Sequence, residues 1–248
     1  MSEQNSNFPQ FYVTSEQACP YLPGQRERKL FTHLTPDRSP QLVDTMLRGG
    51  FRRSQHIAYL PYCQNCSACV SVRVPVDAFA PSRSQKRILN NTRMLEGRVA
   101  DATVTGEHYD LFRDYIDNRH GDGGMADMSV MDFTMMVEDS TVPTHIYEYR
   151  ERRDRDPAKP ENPLVASALV DRLSDGLSMV YSYFDPAWAR SSLGTFMILD
   201  HIARCRTLGL PYLYLGYWIA GSRTMDYKTK FRPQEHLTAS GWRIWDGA

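Results

Sequence analysis

Between residues 107 and 218 the hydrophobic period of the chain switches repeatedly, and the order of the switches restricts the fold more than any other feature. Glu107 to Arg119 places Leu111, Phe112, Tyr115 and Ile116 at helical spacing. The run His120-Gly121-Asp122-Gly123-Gly124 ends that helix in a loop. Thr144 to Arg150 alternates apolar and polar residues, as a half-buried strand does. Leu164 to Leu173 and Leu177 to Phe184 read as two further strands joined by the turn Ser174-Asp175-Gly176. The charged, proline-bearing stretch 151–163 reads as an exposed loop. A second helix is predicted from about Ser191 to Leu208, with Phe196, Leu199, Ile202 and Ala203 on one face and Gly209 past its end. Pro211 to Trp218 returns to strand. Helix, three strands, helix, strand is the order of a mixed α/β sheet with a helix between its later strands.

The first hundred residues differ in kind. Four of the five cysteines lie there, as Cys19 and the evenly spaced Cys63, Cys66 and Cys69. Residues 1–100 carry 13 Lys and Arg against 7 Asp and Glu, and the remainder 16 against 22. A basic front half suits a polyanion such as RNA. Pro40 to Gly50 predicts a short helix on Leu42, Val43, Met46 and Leu47. Val70 to Val76 alternates as a strand, and Pro75 predicts an edge position for it. Ser82 to Leu95 reads as a basic helix. The five methionines between Met125 and Met136 read as core packing. The expected organisation is a disordered tail (1–10), a basic cysteine-containing N-terminal domain (11–100) and a domain built on the mixed sheet (101–248). No run reaches the roughly 18 apolar residues of a membrane span, and the polar first ten residues lack a signal region, so a cytoplasmic protein with no membrane partner is expected.

The element order resembles the acetyltransferase-like (GNAT-like) acyl-transfer fold, of α+β or mixed α/β class, here preceded by the smaller cysteine-containing region. Users of acyl-CoA in that fold carry a glycine-rich turn at the start of the later helix, where backbone N–H groups hold pyrophosphate. The segment Ser191-Ser192-Leu193-Gly194-Thr195-Phe196 keeps only the middle glycine, and the bulk of Phe196 argues for an acyl donor other than CoA. A CoA-dependent N-acetyltransferase is one competing reading. A non-enzymatic RNA-binding or redox-sensing module built on the cysteines is another.

Longer motifs carry a closer resemblance. Cys19-Pro20-Tyr21-Leu22-Pro23-Gly24, Gly50-Phe51-Arg52-Arg53-Ser54-Gln55, the Cys63–Cys69 run and Phe79-Ala80-Pro81-Ser82-Arg83-Ser84-Gln85-Lys86-Arg87 resemble the aminoacyl-tRNA–protein transferase family. So do Arg119-His120-Gly121-Asp122-Gly123-Gly124-Met125, Tyr183-Phe184-Asp185-Pro186, Ser192 to Asp200, Leu215-Gly216-Tyr217-Trp218-Ile219 and Tyr227-Lys228-Thr229-Lys230-Phe231-Arg232-Pro233. The resemblance spans about residues 11–238, and the short length is that of the bacterial, leucine-using branch. It implies transfer of an aminoacyl group, leucine or else arginine, from charged tRNA to the α-amine of proteins beginning with Asp or Glu. The product carries an N-terminal degradation signal of the N-degron kind.

Such a reaction sets requirements on the residues. An acidic acceptor side chain calls for an arginine fork; Arg83, flanked by Ser82 and Ser84, is the first candidate and Arg73 the second. Charged tRNA is expected on Arg52, Arg53, Lys86, Arg87, Lys228, Lys230 and Arg232, with Trp218 or Tyr217 stacked on the terminal base. The weak candidates for proton transfer or amine orientation are His120, Asp122, Asp127 and Tyr217. The ester is already activated, so no cofactor is required for the chemistry. Cys19, Cys63, Cys66 and Cys69 suit an Fe–S cluster, a zinc ion or reduced structural thiols equally by donor type. Cys205, among apolar neighbours, reads as core.

Overall fold

The alternating segments of the second half do lie side by side, and they recruit strands from the first. The computed structural model describes residues 9–35, 38–119, 121, 123–152 and 162–247. In the front part, β1 (Tyr12–Val13), β2 (Gln17–Ala18), β3 (Arg26–Glu27) and β4 (Lys29–His33) precede helix α1 (Pro40–Arg48). Then come β5 (Arg52–Ser54), β6 (Ile57–Pro61), β7 (Cys69–Pro75), α2 (Arg83–Asn91) and β8 (Leu95–Asp101). The remainder comprises α3 (Gly106–Arg119), α4 (Val130–Glu138), β9 (Thr144–Glu151), β10 (Leu164–Arg172), β11 (Gly176–Phe184), α5 (Leu193–Thr207), β12 (Tyr212–Ile219), β13 (Glu235–Thr238) and β14 (Gly241–Ile244).

Eight strands make one sheet in the order β14-β13-β7-β12-β11-β10-β9-β8, and β1-β4-β6-β5 make a second, smaller one. Every neighbouring pair in the large sheet is antiparallel except β11 and β12. A parallel pair needs a crossover, and α5 supplies it. This is the mixed sheet, with a helix between its later strands, that the element order predicts.

Both faces of the large sheet are covered, which is why β10 reads as an almost continuous apolar run. Ala166, Ala168 and Val170 of β10 join a core with Phe196, Met197, Ile202 and Cys205 of α5. The small alanines let the helix approach closely. On the other face Leu169 packs with Phe112 and Ile116 of α3 and Phe133 of α4, where Phe112 and Phe133 stack at 4.6 Å. Met125, Met128 and Met136 pack against this second cluster as expected, whereas Met131 is exposed.

Several sequence expectations need correcting. Pro75 does not mark an edge strand: β7 lies between β12 and β13. The proline is tolerated because β13 pairs only as far as Arg73, so the strand end needs no donor on that side. The basic helix stops at Asn91, and Leu95 opens the edge strand β8 instead. Ala203 is exposed rather than on the buried face of α5. Ser191 belongs to a 3-10 turn over Pro186–Ser191. Strands β7 and β8 place residues from before position 101 inside the large sheet. Of the expected disordered tail, residues 1–8 lie outside the described residues, as do 153–161 of the expected loop.

Candidate active site

Strands β11 and β12 pair over only three residues, Gly176 with Tyr212, Leu177 with Leu213 and Ser178 with Tyr214. Beyond that they diverge, although β11 runs on to Phe184 and β12 to Ile219. Each strand bulges where they part. On β11 the register to β10 slips between Leu169 and Val170; on β12 the register to β7 slips between Tyr214 and Gly216. Gly216 has φ of +75°, a conformation that favours glycine. Bulges commonly bend strands apart beside functional sites, and here they open a split in the middle of a covered sheet.

Parted strands leave main-chain carbonyls without ladder partners, and two cations satisfy them. Arg52, the first residue of β5, donates to the Ser178 hydroxyl (3.0 Å) and the Met179 carbonyl (2.5 Å). Lys228 donates from Nζ to the Tyr217 carbonyl. Lys228 is only 5% exposed, and its ammonium is pushed down to about 7, first by burial and then by the positive charge of Arg52. The main-chain carbonyl of Lys228 is in turn held by the Gln234 side chain.

Tyrosines surround the pair. Tyr217 donates its hydroxyl to the carbonyls of Gly50 (2.9 Å) and Tyr59 (3.3 Å), tying β12 to the smaller sheet. Burial holds its phenol well above the usual range, so it does not serve as a base. Tyr227, with its phenol raised to about 12 chiefly by burial, feels Tyr115, Arg52 and Tyr21. Tyr115, Tyr21, Tyr227 and Ser178 were not among the sequence-predicted site residues. Their signal is long-range, since α3, the front loop and the segment after β12 meet only at the split.

The sequence-predicted residues fall into three groups. Arg53 and Arg73 are locked inside. Arg53 is bidentate to Asp171 at 2.7 and 2.8 Å, with both side chains almost fully buried. Arg73 pairs with Glu235 (2.6 Å), donates to the Tyr214 hydroxyl and lies 3.5 Å from the Tyr212 ring and 4.4 Å from that of Trp242. Neither is available to an acceptor or a phosphate. Lys228, expected on an RNA backbone, is likewise enclosed. A second group is exposed: Arg83, Lys86 and Arg87 on α2, with Lys230 and Arg232 alongside. Ser82 caps α2, its hydroxyl accepting from the Gln85 N–H while the Gln85 side chain accepts from the Ser82 N–H. Gln85 also donates to the Lys230 carbonyl at 3.0 Å, which joins α2 to the Lys230 segment as one basic rim. Ser84 lies 3.0 Å from the Ser82 hydroxyl. Trp218 is half-buried against His236 and Trp245. The third group, His120 and Asp122, lies outside the described residues. Asp127 is exposed.

Phe196 does not do what the sequence suggested. Its ring turns into the core, 5.2 Å from that of Tyr149, and so does not obstruct the start of α5. Ser192 there adopts φ of +55° and gives no side-chain cap.

Cys19, Cys63, Cys66 and Cys69 are neighbours. Burial first, then Cys19, Cys63 and Cys66, raise the Cys69 thiol to about 11. All four are free and half-buried. Among the described residues no three His, Cys, Asp or Glu side chains are arranged to hold a metal ion. Cys205 is buried, as expected. A cavity of about 410 Å³ lies elsewhere, between the sheet and the C-terminal end of α5, lined by His145, Tyr147, Arg172 and Arg204 among others. No predicted site residue lines it.

Two family descriptions match the chain. "Arginine-tRNA-protein transferase, N terminus" matches residues 17–87, and "Arginine-tRNA-protein transferase, C terminus" matches residues 107–238. An aspartate/glutamate leucyltransferase of Rhizobium meliloti (strain 1021) is 55% identical over 249 residues, covering 100% of this chain and 96% of its own. One from Sinorhizobium medicae (strain WSM419) is 56% identical over 244 residues, covering 98% and 94%. A solved structure of FemX aligns with 82% of this chain and 67% of its own at a TM-score of 0.49 and 8% identity.

Proposed function

The chain belongs to the arginine-tRNA-protein transferase family, and we propose that it moves leucine, the donor named by its relatives, from charged tRNA to the α-amine of proteins that begin with Asp or Glu. It is an aminoacyltransferase. The amine nitrogen attacks the carbonyl carbon of the aminoacyl ester. The new C–N bond forms as the C–O bond to the tRNA ribose breaks, and the amine proton ends on the departing oxygen or in water. These two substrates balance the reaction in atoms and electrons.

The observation that carries this reading is the split itself, a parting of β11 from β12 within a covered sheet, with a basic rim at α2 and the Lys230 segment. An α-amine has a pKa of about 7.7–8.0, so roughly a quarter is already neutral near pH 7.4. Orientation of amine against ester can then supply most of the acceleration, up to about 7–11 kcal/mol. The phenols of Tyr217 and Tyr115, shifted upward by burial, are suited to donate hydrogen bonds rather than to accept a proton. Arg83, Lys86, Arg87, Lys230 and Arg232 face the tRNA phosphates in this reading, and Trp218, half-buried against the Trp245 ring on which Arg232 lies, is the candidate for the terminal base.

Cys19, Cys63 and Cys66 lie near enough to act on the Cys69 thiol, but among the described residues no three His, Cys, Asp or Glu side chains are arranged to hold a metal ion, and no step is assigned to one. Among the described residues no helix is long and apolar enough to cross a membrane. Use of charged tRNA and of protein N-termini puts the reaction in the cytoplasm, where the leucylated product serves as a degradation signal.

The test is direct. Purified protein is incubated with radiolabelled leucyl- or arginyl-tRNA and peptides beginning with Asp, Glu or Ala. Label from leucyl-tRNA on the Asp and Glu peptides alone is expected. No label on any peptide from either tRNA overturns the reading.

A further inference from the structure

Charge accounting around the split leaves one anomaly. Four guanidiniums near the sheet meet carboxylates: Arg53 meets Asp171, Arg73 meets Glu235, Arg48 meets Asp44 and Asp175, and Arg204 meets Asp200, while the exposed Arg206 of α5 bonds to the carbonyls of Val76 and Phe79. Arg52 is half-buried, yet both of its hydrogen bonds go to neutral oxygens, the Ser178 hydroxyl and the Met179 carbonyl. Lys228, enclosed beside it, donates to the Tyr217 carbonyl and faces the Tyr227 ring. Among the described residues Arg52 is the charged group that acts on Lys228, and no carboxylate acts on Tyr227. A half-buried guanidinium beside an enclosed amine, with no carboxylate bonded to either among the described residues, opposes folding. Neutral side chains would plug the same split at lower cost. The arrangement is explained if an anion that arrives from outside completes it.

Resting on the transferase reading above, we propose that Arg52 is the acceptor-binding residue that selects Asp or Glu: the side-chain carboxylate of the acceptor's first residue enters the β11–β12 split and bonds to its guanidinium, with Lys228 adding positive potential beside it. A guanidinium has five N–H donors. Two of Arg52's are committed, which leaves three for a carboxylate. One face of the group lies against Gly216, where a Cβ would come 3.1 Å from Cζ and 3.2 Å from Nε. Glycine is favoured there by its positive φ, and a Cβ would make the guanidinium give by a few tenths of an ångström. The anchoring bonds to Ser178 and Met179 fix the fork before the ligand arrives, so little side-chain freedom is lost on binding.

Arg83 is the competing candidate for the same task. It stands exposed on the first turn of α2, where an ion pair is screened by water and worth about 0–1 kcal/mol. That is too little to separate Asp from Asn strongly. A carboxylate desolvated on Arg52 is worth more. The exposed rim is also the better place for the RNA backbone, because a phosphate chain cannot enter a gap between two strands as a single side chain can.

The experiment compares peptides beginning with Asp, Glu, Asn and Gln. Peptide affinity is measured by fluorescence anisotropy without tRNA, alongside transfer kinetics and leucyl-tRNA affinity, for wild type, Arg52→Gln, Arg52→Lys and Arg83→Ala. Wild type is expected to prefer Asp over Asn. Arg52→Gln should weaken Asp-peptide binding about 30- to 100-fold and erase the preference, with tRNA affinity changed less than about twofold. Arg52→Lys, which keeps the charge but loses the fork, should fall between. Arg83→Ala should keep the preference. An Asp preference that survives in Arg52→Gln, or one that disappears in Arg83→Ala, overturns the assignment. Equal loss of tRNA and peptide affinity in Arg52→Gln overturns it too, in favour of a phosphate contact. The binding arm keeps the two readings separate: Arg52-dependent Asp preference without any transfer refutes the transferase reading and leaves the carboxylate subsite standing.

Discussion

The two ends of the β11–β12 pair treat positive charge in opposite ways. At the closed end, where the strands still hydrogen-bond, Arg48, Arg53 and Arg73 are matched by Asp44, Asp171, Asp175 and Glu235. At the open end Arg52 and Lys228 donate to neutral oxygens. Arg52 and Arg53 are consecutive on one three-residue strand, so the contrast arises from which side of β5 each side chain leaves. Alternation along a strand sends neighbours to opposite faces, and here one face meets an aspartate and the other meets the split. Neutralised charge builds the closed end, and unneutralised charge is kept for a ligand at the open one.

The strongest challenge to this contrast is to remove an acid from the closed end. Asp171→Ala leaves Arg53 buried and unpaired and should cost about 3–5 kcal/mol of stability, read as a large fall in Tm. Arg52→Gln, which removes an uncompensated charge along with two hydrogen bonds, should change stability by less than about 1 kcal/mol. Similar losses from the two would make Arg52 a structural plug like its neighbour.

A middle-sized effect tests the open end alone. The native ammonium of Lys228 lies near 7 against an ordinary 10.5. Between those values the unfolded chain takes up a proton that the folded chain does not, so stability rises with pH from about 7 upward and the penalty is complete below 7. The groups facing Lys228 are Arg52, Tyr217, Tyr227 and Gln234, none of them a base that titrates in this window. Lys228→Met should remove about 2–3 kcal/mol of the stability difference between pH 6 and pH 9 in urea unfolding. An unchanged pH slope would show that Lys228 is not enclosed as described.

The smallest effect sharpens the boundary between split and rim. Arg83→Ala should change stability by less than about 0.5 kcal/mol. It should lower the salt dependence of tRNA binding by about 0.7–0.9 in log–log slope, the share of one phosphate contact. A slope equal to that of wild type would take Arg83 off the RNA.

What could be read from the sequence follows from range. Helices α1, α3 and α5 and strands β9 to β12 carry their period within a dozen residues and were visible. The smaller sheet was not, because strands of two to five half-exposed residues leave no period to find. Strand β8 was hidden by its mostly exposed Leu95-Glu96-Gly97-Arg98 sequence. The family-bearing motifs named the right neighbourhood, since Arg52, Gly216, Tyr217 and Lys228 all fall within them. Their division of labour was not legible. Two adjacent arginines look alike until a partner 118 positions away claims one of them, and Lys228 and Lys230 look alike until burial separates them.

The position of β7 has a consequence for how the chain is made. This strand emerges early in synthesis, but its two sheet neighbours are β12 and β13, near the other terminus. At about 5–20 residues per second, β7 waits on the order of ten seconds on the ribosome with both edges bare. An incomplete nascent chain therefore presents an unpaired, valine-rich ribbon, and translation pauses after residue 76 should make aggregation of the growing polypeptide worse.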